Sequence, residues 1–128
     1  MSITYQFKAL GERLHVTASG FDDSADEVMA YGMAIVQAAR EAGSRQVLCD
    51  ERSLEYRLNM LDTFAAGEFI SAQAPRVARI AIVCQSAGLN AAKFYETVTT
   101  NRGLRLRVFT QVDEADSWLR SDPTATIG

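Results

Sequence analysis

Apolar and polar residues alternate from the first positions of the chain. Ile3, Tyr5 and Phe7 interleave with Thr4, Gln6 and Lys8, the period-two mark of a strand with one wet face. After Gly11-Glu12 the alternation resumes, with Leu14, Val16 and Ala18 set against His15, Thr17 and Ser19. Two runs this close predict an antiparallel hairpin. The period then becomes helical. Ser24 followed by Glu27 predicts a capping box, and Val28, Gly32, Ile35, Ala39 and Ala42 recur at helical spacing up to Gly43, which suits a left-handed C-cap. Val47, Leu48 and Cys49 read as a short strand ending at Asp50, and Glu51 to Leu58 as irregular and polar. Asn59 is expected to cap a helix reaching about Gln73, with Leu61, Phe64, Ala65, Phe69 and Ala72 inward and Pro75 stopping it.

Val77 to Cys84 is almost continuously apolar, as expected of a central strand covered on both sides. Ala91, Phe94, Tyr95 and Val98 predict a third helix over about 90–102, ended by Gly103. Leu104, Leu106 and Val108 alternate with Arg105 and Arg107 in a last strand. Thr110 and Asp113 predict a second capping box, opening a short helix with Val112, Ala115, Trp118 and Leu119. Residues 1–121 thus read as one domain and 122–128 as a frayed tail.

Repeated strand–helix–strand units demand parallel pairing through right-handed crossovers. The polar sides of the first, second and last strands (Thr4/Gln6/Lys8, His15/Thr17/Ser19, Arg105/Arg107) argue against helices on both faces. The expected architecture is α/β: a single, mostly parallel five-stranded sheet with an N-terminal antiparallel hairpin, wound in one direction, with helices mainly on one face.

Composition adds exclusions. The chain has 128 residues, 48% apolar and 23% charged, with 13 Lys+Arg against 16 Asp+Glu and a formal charge of −3. That balance offers no footprint for nucleic acid, so Arg76, Arg79, Arg102, Arg105 and Arg107 read as a solvated or salt-bridged face. The apolar runs are too short for a membrane span, and no signal-peptide core opens the chain, so a cytoplasmic protein is expected. Cys49 and Cys84 lie in apolar runs and read as buried thiols. His15 is the only histidine, without a ligand cluster or a recognisable nucleophile, so no metal, cofactor or catalytic residue is expected.

The succession Arg79-Ile80-Ala81-Ile82-Val83, an amphipathic helix, Arg107-Val108-Phe109-Thr110, then Glu114-Ala115 and Trp118-Leu119, resembles the SpoIIAA-like proteins. These are small bacterial relatives of the STAS domain, grouped by fold with the CRAL-TRIO lipid-binding domains. The resemblance implies the one-directional superhelix already read from alternation, and a regulatory module that binds a partner protein. In the anti-sigma-antagonist type, a serine at the start of the helix after the central strand is phosphorylated. The corresponding turn here, Arg57-Leu58-Asn59-Met60-Leu61-Asp62-Thr63, has no serine; Ser53 comes too early and Thr63 falls inside the helix, so no phosphoswitch is expected.

Three sites follow. Ligands of open parallel sheets bind beyond the carboxyl ends of the strands, which nominates Asp50, Arg52, Ser53 and Ser86. Gln85-Ser86-Ala87-Gly88 lacks the glycine density and lysine of a P-loop. The second helix is more apolar than one buried stripe needs, so Tyr56, Leu58, Met60, Phe69 and Ile70 are expected to form a partner or homodimer surface. As its fold relatives imply, the alternative is a small carrier or sensor of an apolar or lipid-like ligand, in a cavity between sheet and helices lined by Phe64, Phe69, Phe94 and Tyr95. The primary expectation is a non-catalytic regulatory module that forms a homodimer in the bacterial cytoplasm.

Overall fold

The computed structural model describes residues 2–74 and 78–121; Pro75, Arg76, Val77 and the expected tail over 122–128 lie outside the described residues. The chain runs β1 (Ile3–Leu10), β2 (Arg13–Phe21), α1 (Ala25–Ala42), β3 (Gln46–Glu55), α2 (Met60–Gln73), β4 (Arg79–Val83), a 3-10 turn (Ser86–Gly88), α3 (Leu89–Thr100), β5 (Arg105–Phe109) and α4 (Val112–Arg120). The sheet order is β1-β2-β3-β4-β5, with β1 and β2 antiparallel and the rest parallel. The winding is in one direction, as the alternation requires. No helix of the described residues is long and apolar enough to cross a membrane.

The two faces of the sheet differ. Leu14, Val16, Val47, Cys49, Ile82, Leu106 and Val108 form the large core with α1, α2 and α3. On the other face α4 alone packs, over Leu48, Ala81 and Val83, through Ala115 and Leu119. Beyond α4 that face is open: Thr17, Arg105 and Arg107 are exposed. Arg13 anchors α4 to the hairpin, its Nη1 donating to Asp116 Oδ1 at 2.6 Å.

Local capping chemistry sets most boundaries. Asn59 accepts from the Asp62 N–H, and Gly43 closes α1 at φ 65°. The Ser24–Glu27 box is only half formed. Ser24 accepts from the Glu27 N–H, but the Glu27 carboxylate reaches instead to the Ser2 and Ile3 N–H groups, at 2.6 and 3.0 Å, and ties α1 to β1. The second box is absent: Gln111, not Thr110, precedes α4 and makes no side-chain cap.

Two expectations are corrected. β3 does not end at Asp50 but runs to Glu55, through the stretch read as irregular. A bulge makes this possible: Thr17 pairs with Asp50 and Ser19 with Ser53, so Glu51 and Arg52 together oppose Ala18. The slip of one residue turns Leu54 into the core in place of Ser53.

The second correction concerns α2, whose inward face is Ala66, Gly67, Ile70 and Ser71. Of the stripe expected inside, Leu61 is 76% and Phe69 37% exposed, and Ala72 is exposed. The reason is steric. α2 packs against α1 and α3 rather than directly on the strands, and where the helices approach most closely that seat admits only small residues. A Cβ on Gly67 would lie 2.8 Å from Val98 Cγ1, and one on Gly32 of α1 would lie 2.3 Å from Ile70 Cδ1.

Val98 is β-branched and cannot swing away, so Gly67→Val overpacks this seam and should destabilise the protein by roughly 2 kcal/mol. Urea denaturation should show a lower midpoint at unchanged slope.

Candidate functional site

Because α2 rests on its neighbours, a gap remains beneath it over β3 and β4. The gap is a cavity of about 110 Å³. Its apolar walls include Val28 and Ile35 of α1, Ile70 of α2, Ile80 and Ile82 of β4, and Tyr95 of α3. Half-buried Tyr56, Leu58, Thr63 and Ala91 gather at its margin, where α2 and α3 begin. This is the carboxyl end of the parallel strands, where such sheets place their ligands.

One pole of the cavity is polar. Glu51, at the bulge, is 6% exposed. Its Oε2 accepts from the Tyr31 hydroxyl at 2.8 Å and its Oε1 from the Tyr56 hydroxyl at 2.5 Å. Burial raises the Glu51 pKa, the two phenol hydrogen bonds oppose that rise, and the nearby Asp22 and Asp50 charges reinforce it. The two tyrosines are themselves pushed up by burial first and then by Glu51, so both stay neutral donors. Among the described residues no cation forms an ion pair with Glu51.

Asp22 also faces the cavity and is buried. Its Oδ1 accepts from the Arg57 and Leu58 N–H groups, pinning the β3–α2 connection at the cavity margin. Its pKa too is raised by burial, against those backbone bonds. The Cys49 thiol in the same wall is raised by burial and by Glu51, which keeps it protonated. The turn before α3 closes on Tyr56: a Cβ on Gly88 would come within 2.7 Å of the Tyr56 ring.

The residues nominated from sequence fall in three places. Asp50 and Arg52 engage each other, Arg52 Nη2 to Asp50 Oδ2 at 2.7 Å, on an exposed strand segment. Ser53 and Ser86 are exposed, on β3 and in the 3-10 turn. None of these four lines the cavity, nor do Phe64, Phe69 and Phe94; of the expected cavity lining only Tyr95 does. Of the expected partner surface, Ile70 is buried and, with Tyr56 and Leu58, faces the cavity, because the inner face of α2 is the opposite one.

Met60 (68% exposed) and Phe69 do lie outside, together with Leu61. Ala65, Glu68, Phe69 and Ala72 line a shallow surface groove with Arg102, whose guanidinium reaches Glu68 at 3.1 Å. Thr63 lies inside α2 and donates to the Asn59 carbonyl. His15 is half-buried on β2, and among the described residues no group of His, Cys, Asp and Glu is arranged to hold a metal ion. The arginines are dispersed: Arg79 stacks on Trp118 and Arg102 on Phe64, while Arg105 and Arg107 are exposed.

Sequence reasoning missed Tyr31 and Asp22, and it read Glu51 as the start of an irregular polar stretch beyond the strand. One signal was present: Leu54, Tyr56 and Leu58 alternate with Glu55 and Arg57, which marks strand continuing past the charged Asp50-Glu51-Arg52.

No protein-family model matches the chain, and no curated protein matches it. Solved structures do. An anti-sigma factor antagonist from Mycobacterium paratuberculosis superposes with a TM-score of 0.66 at 13% identity, over 94% of this chain and 96% of that one. An uncharacterized DUF3478 protein with a SpoIIAA-like fold, from Shewanella loihica PV-4, superposes with a TM-score of 0.52 at 17% identity, over 92% and 94%. The fold is therefore SpoIIAA-like, as the sequence resemblance implied.

The raised carboxyls fix a sign. Glu51 and Asp22 hold protons in the folded state at pH values where the unfolded chain has released them, so stability falls as pH rises above the ordinary value, 4.5 for Glu51. Glu51→Gln removes one of these groups. Thermal melts between mildly acidic and neutral pH should show a flatter pH dependence for the variant, and at neutral pH a melting temperature no lower than the parent's.

Proposed function

We propose that this SpoIIAA-like domain is a non-catalytic regulatory module that acts by binding another protein, with the outer stripe of α2 as its contact surface. The observation that carries this reading is the exposure of Met60, Leu61 and Phe69 on one helix. Large apolar side chains held in water on a rigid element mark contact sites. The fold supports it, since a neighbour of the same architecture is an anti-sigma factor antagonist. The proposal places the module in the bacterial cytoplasm. The homodimer expected from sequence is the competing use of the same stripe.

A photoreactive residue at position 61, against a control at exposed Glu12 in the hairpin turn, tests this in the native host. Position 61 should cross-link one defined heterologous protein that position 12 does not. Cross-linking only to a second copy would make the stripe a dimer interface and overturn the regulatory reading; indiscriminate cross-linking from both positions would overturn the surface. With the partner purified, the double variant L61D/F69D should weaken binding by at least about tenfold. Its melting temperature should stay close to the parent's, because both side chains are exposed.

A further inference from the structure

Glu51 is a buried carboxyl at the end of an apolar cavity, and among the described residues no cation pairs with it. A carboxyl so placed ionises only at a cost and tends to keep its proton unless something supplies the opposite charge. The missing group therefore has a definable chemistry. We infer that the cavity beneath α2 binds a small primary amine, its ammonium held by Glu51 between the Tyr31 and Tyr56 hydroxyls and its apolar body lying along the walls. This site is separate from the protein-contact stripe and does not rest on it.

The polar end matches an ammonium in number and kind. Each phenol already donates its proton to Glu51 and keeps lone pairs on its oxygen. Two phenol oxygens and a carboxylate oxygen thus offer three acceptors to three N–H donors. An anion at the same place would meet the Glu51 and Asp22 carboxyls, which both face the cavity. A neutral alcohol would supply the carboxyl with no counter-charge.

The rest of the cavity sets the body. Val28, Ile35, Ile70, Ile80 and Ile82 offer no polar side-chain atom. A volume of about 110 Å³ is somewhat below the ~150 Å³ of an apolar cavity that takes up benzene. The body is accordingly short, so that the ligand has about five or six non-hydrogen atoms in all.

The raised Glu51 pKa adds a linked signature. A bound cation favours the ionised carboxylate, so binding should release a proton and tighten as pH rises toward neutrality. Calorimetric titration of the full chain with n-butylamine, 1-butanol and butanoate, in two buffers of different ionisation enthalpy, tests this directly. The amine should bind saturably and release protons; Glu51→Gln should weaken it by at least about tenfold and abolish the release. The same substitution should leave 1-butanol within about twofold. Should Glu51→Gln fail to fold, Tyr56→Phe removes one acceptor while keeping the ring, and should weaken the amine but not the alcohol. Tighter binding of 1-butanol or butanoate than of the amine, an amine affinity indifferent to these substitutions and to pH, or no saturable binding by any probe would overturn the inference. Loss of the partner-binding reading would leave all of these outcomes unchanged.

Discussion

The small residues on the inner face of α2 determine how the rest of the domain is arranged above its sheet. Ala66, Gly67 and Ser71 let the helix settle into the seam between α1 and α3, and the clash distances at Gly67 and Gly32 show how little room that seam has. A helix seated on two others cannot also fill the space below it. Ile70 is the one large side chain on its buried face, and it reaches down to the cavity wall. The large residues Leu61 and Phe69 occupy the opposite side, in water. The internal cavity and the external apolar stripe are thus two consequences of one packing choice.

The polar end of that cavity has its own cause, in β3. In a regular strand, Cys49, Glu51 and Ser53 would share the core face, and Leu54 would point to solvent. The bulge keeps Glu51 inside and brings Leu54 in after it, and Tyr56 follows at the same spacing as its hydrogen-bond donor. Tyr31 arrives from α1, its ring 5.2 Å from that of Tyr5. Desolvation outweighs these two hydrogen bonds, as the upward shift at Glu51 indicates. The strand accordingly presents to the cavity a carboxyl that the two phenols orient and that no cation among the described residues pairs with.

How much of this is legible in the sequence depends on which interactions are local. The alternation of β1, β2 and β5 reveals both the strand types and the one-sided helix cover, because a wet strand face leaves polar residues at every second position. Asn59 and Gly43 mark helix ends, since capping is settled within a few residues. Thr110 misleads because a box pattern has several solutions once tertiary packing sets the approach of α4. The orientation of α2 escapes because apolar residues surround it; which side is buried is decided by steric fit to α1 and α3, a contact between segments distant in sequence. Glu51 escapes for a related reason. Its acceptors' partners lie 20 and 5 residues away, and Asp50-Glu51-Arg52 looks like a solvated loop until the bulge places its middle member inside.

The shared origin of cavity and stripe constrains how they can communicate. A molecule beneath α2 and a protein above it touch opposite sides of one helix whose position is set by tight seams rather than by contact with the sheet. Thermodynamics makes any influence between them reciprocal: what the lower ligand does to the upper affinity, the upper partner does to the lower by the same factor. The size of that factor is the difference in ligand affinity between two positions of α2, and a ligand that fits both equally transmits nothing however tightly it binds. The seam at Gly67 and Val98 fixes how closely α2 can approach α3, so a ligand that fits the present gap would leave the stripe where it is.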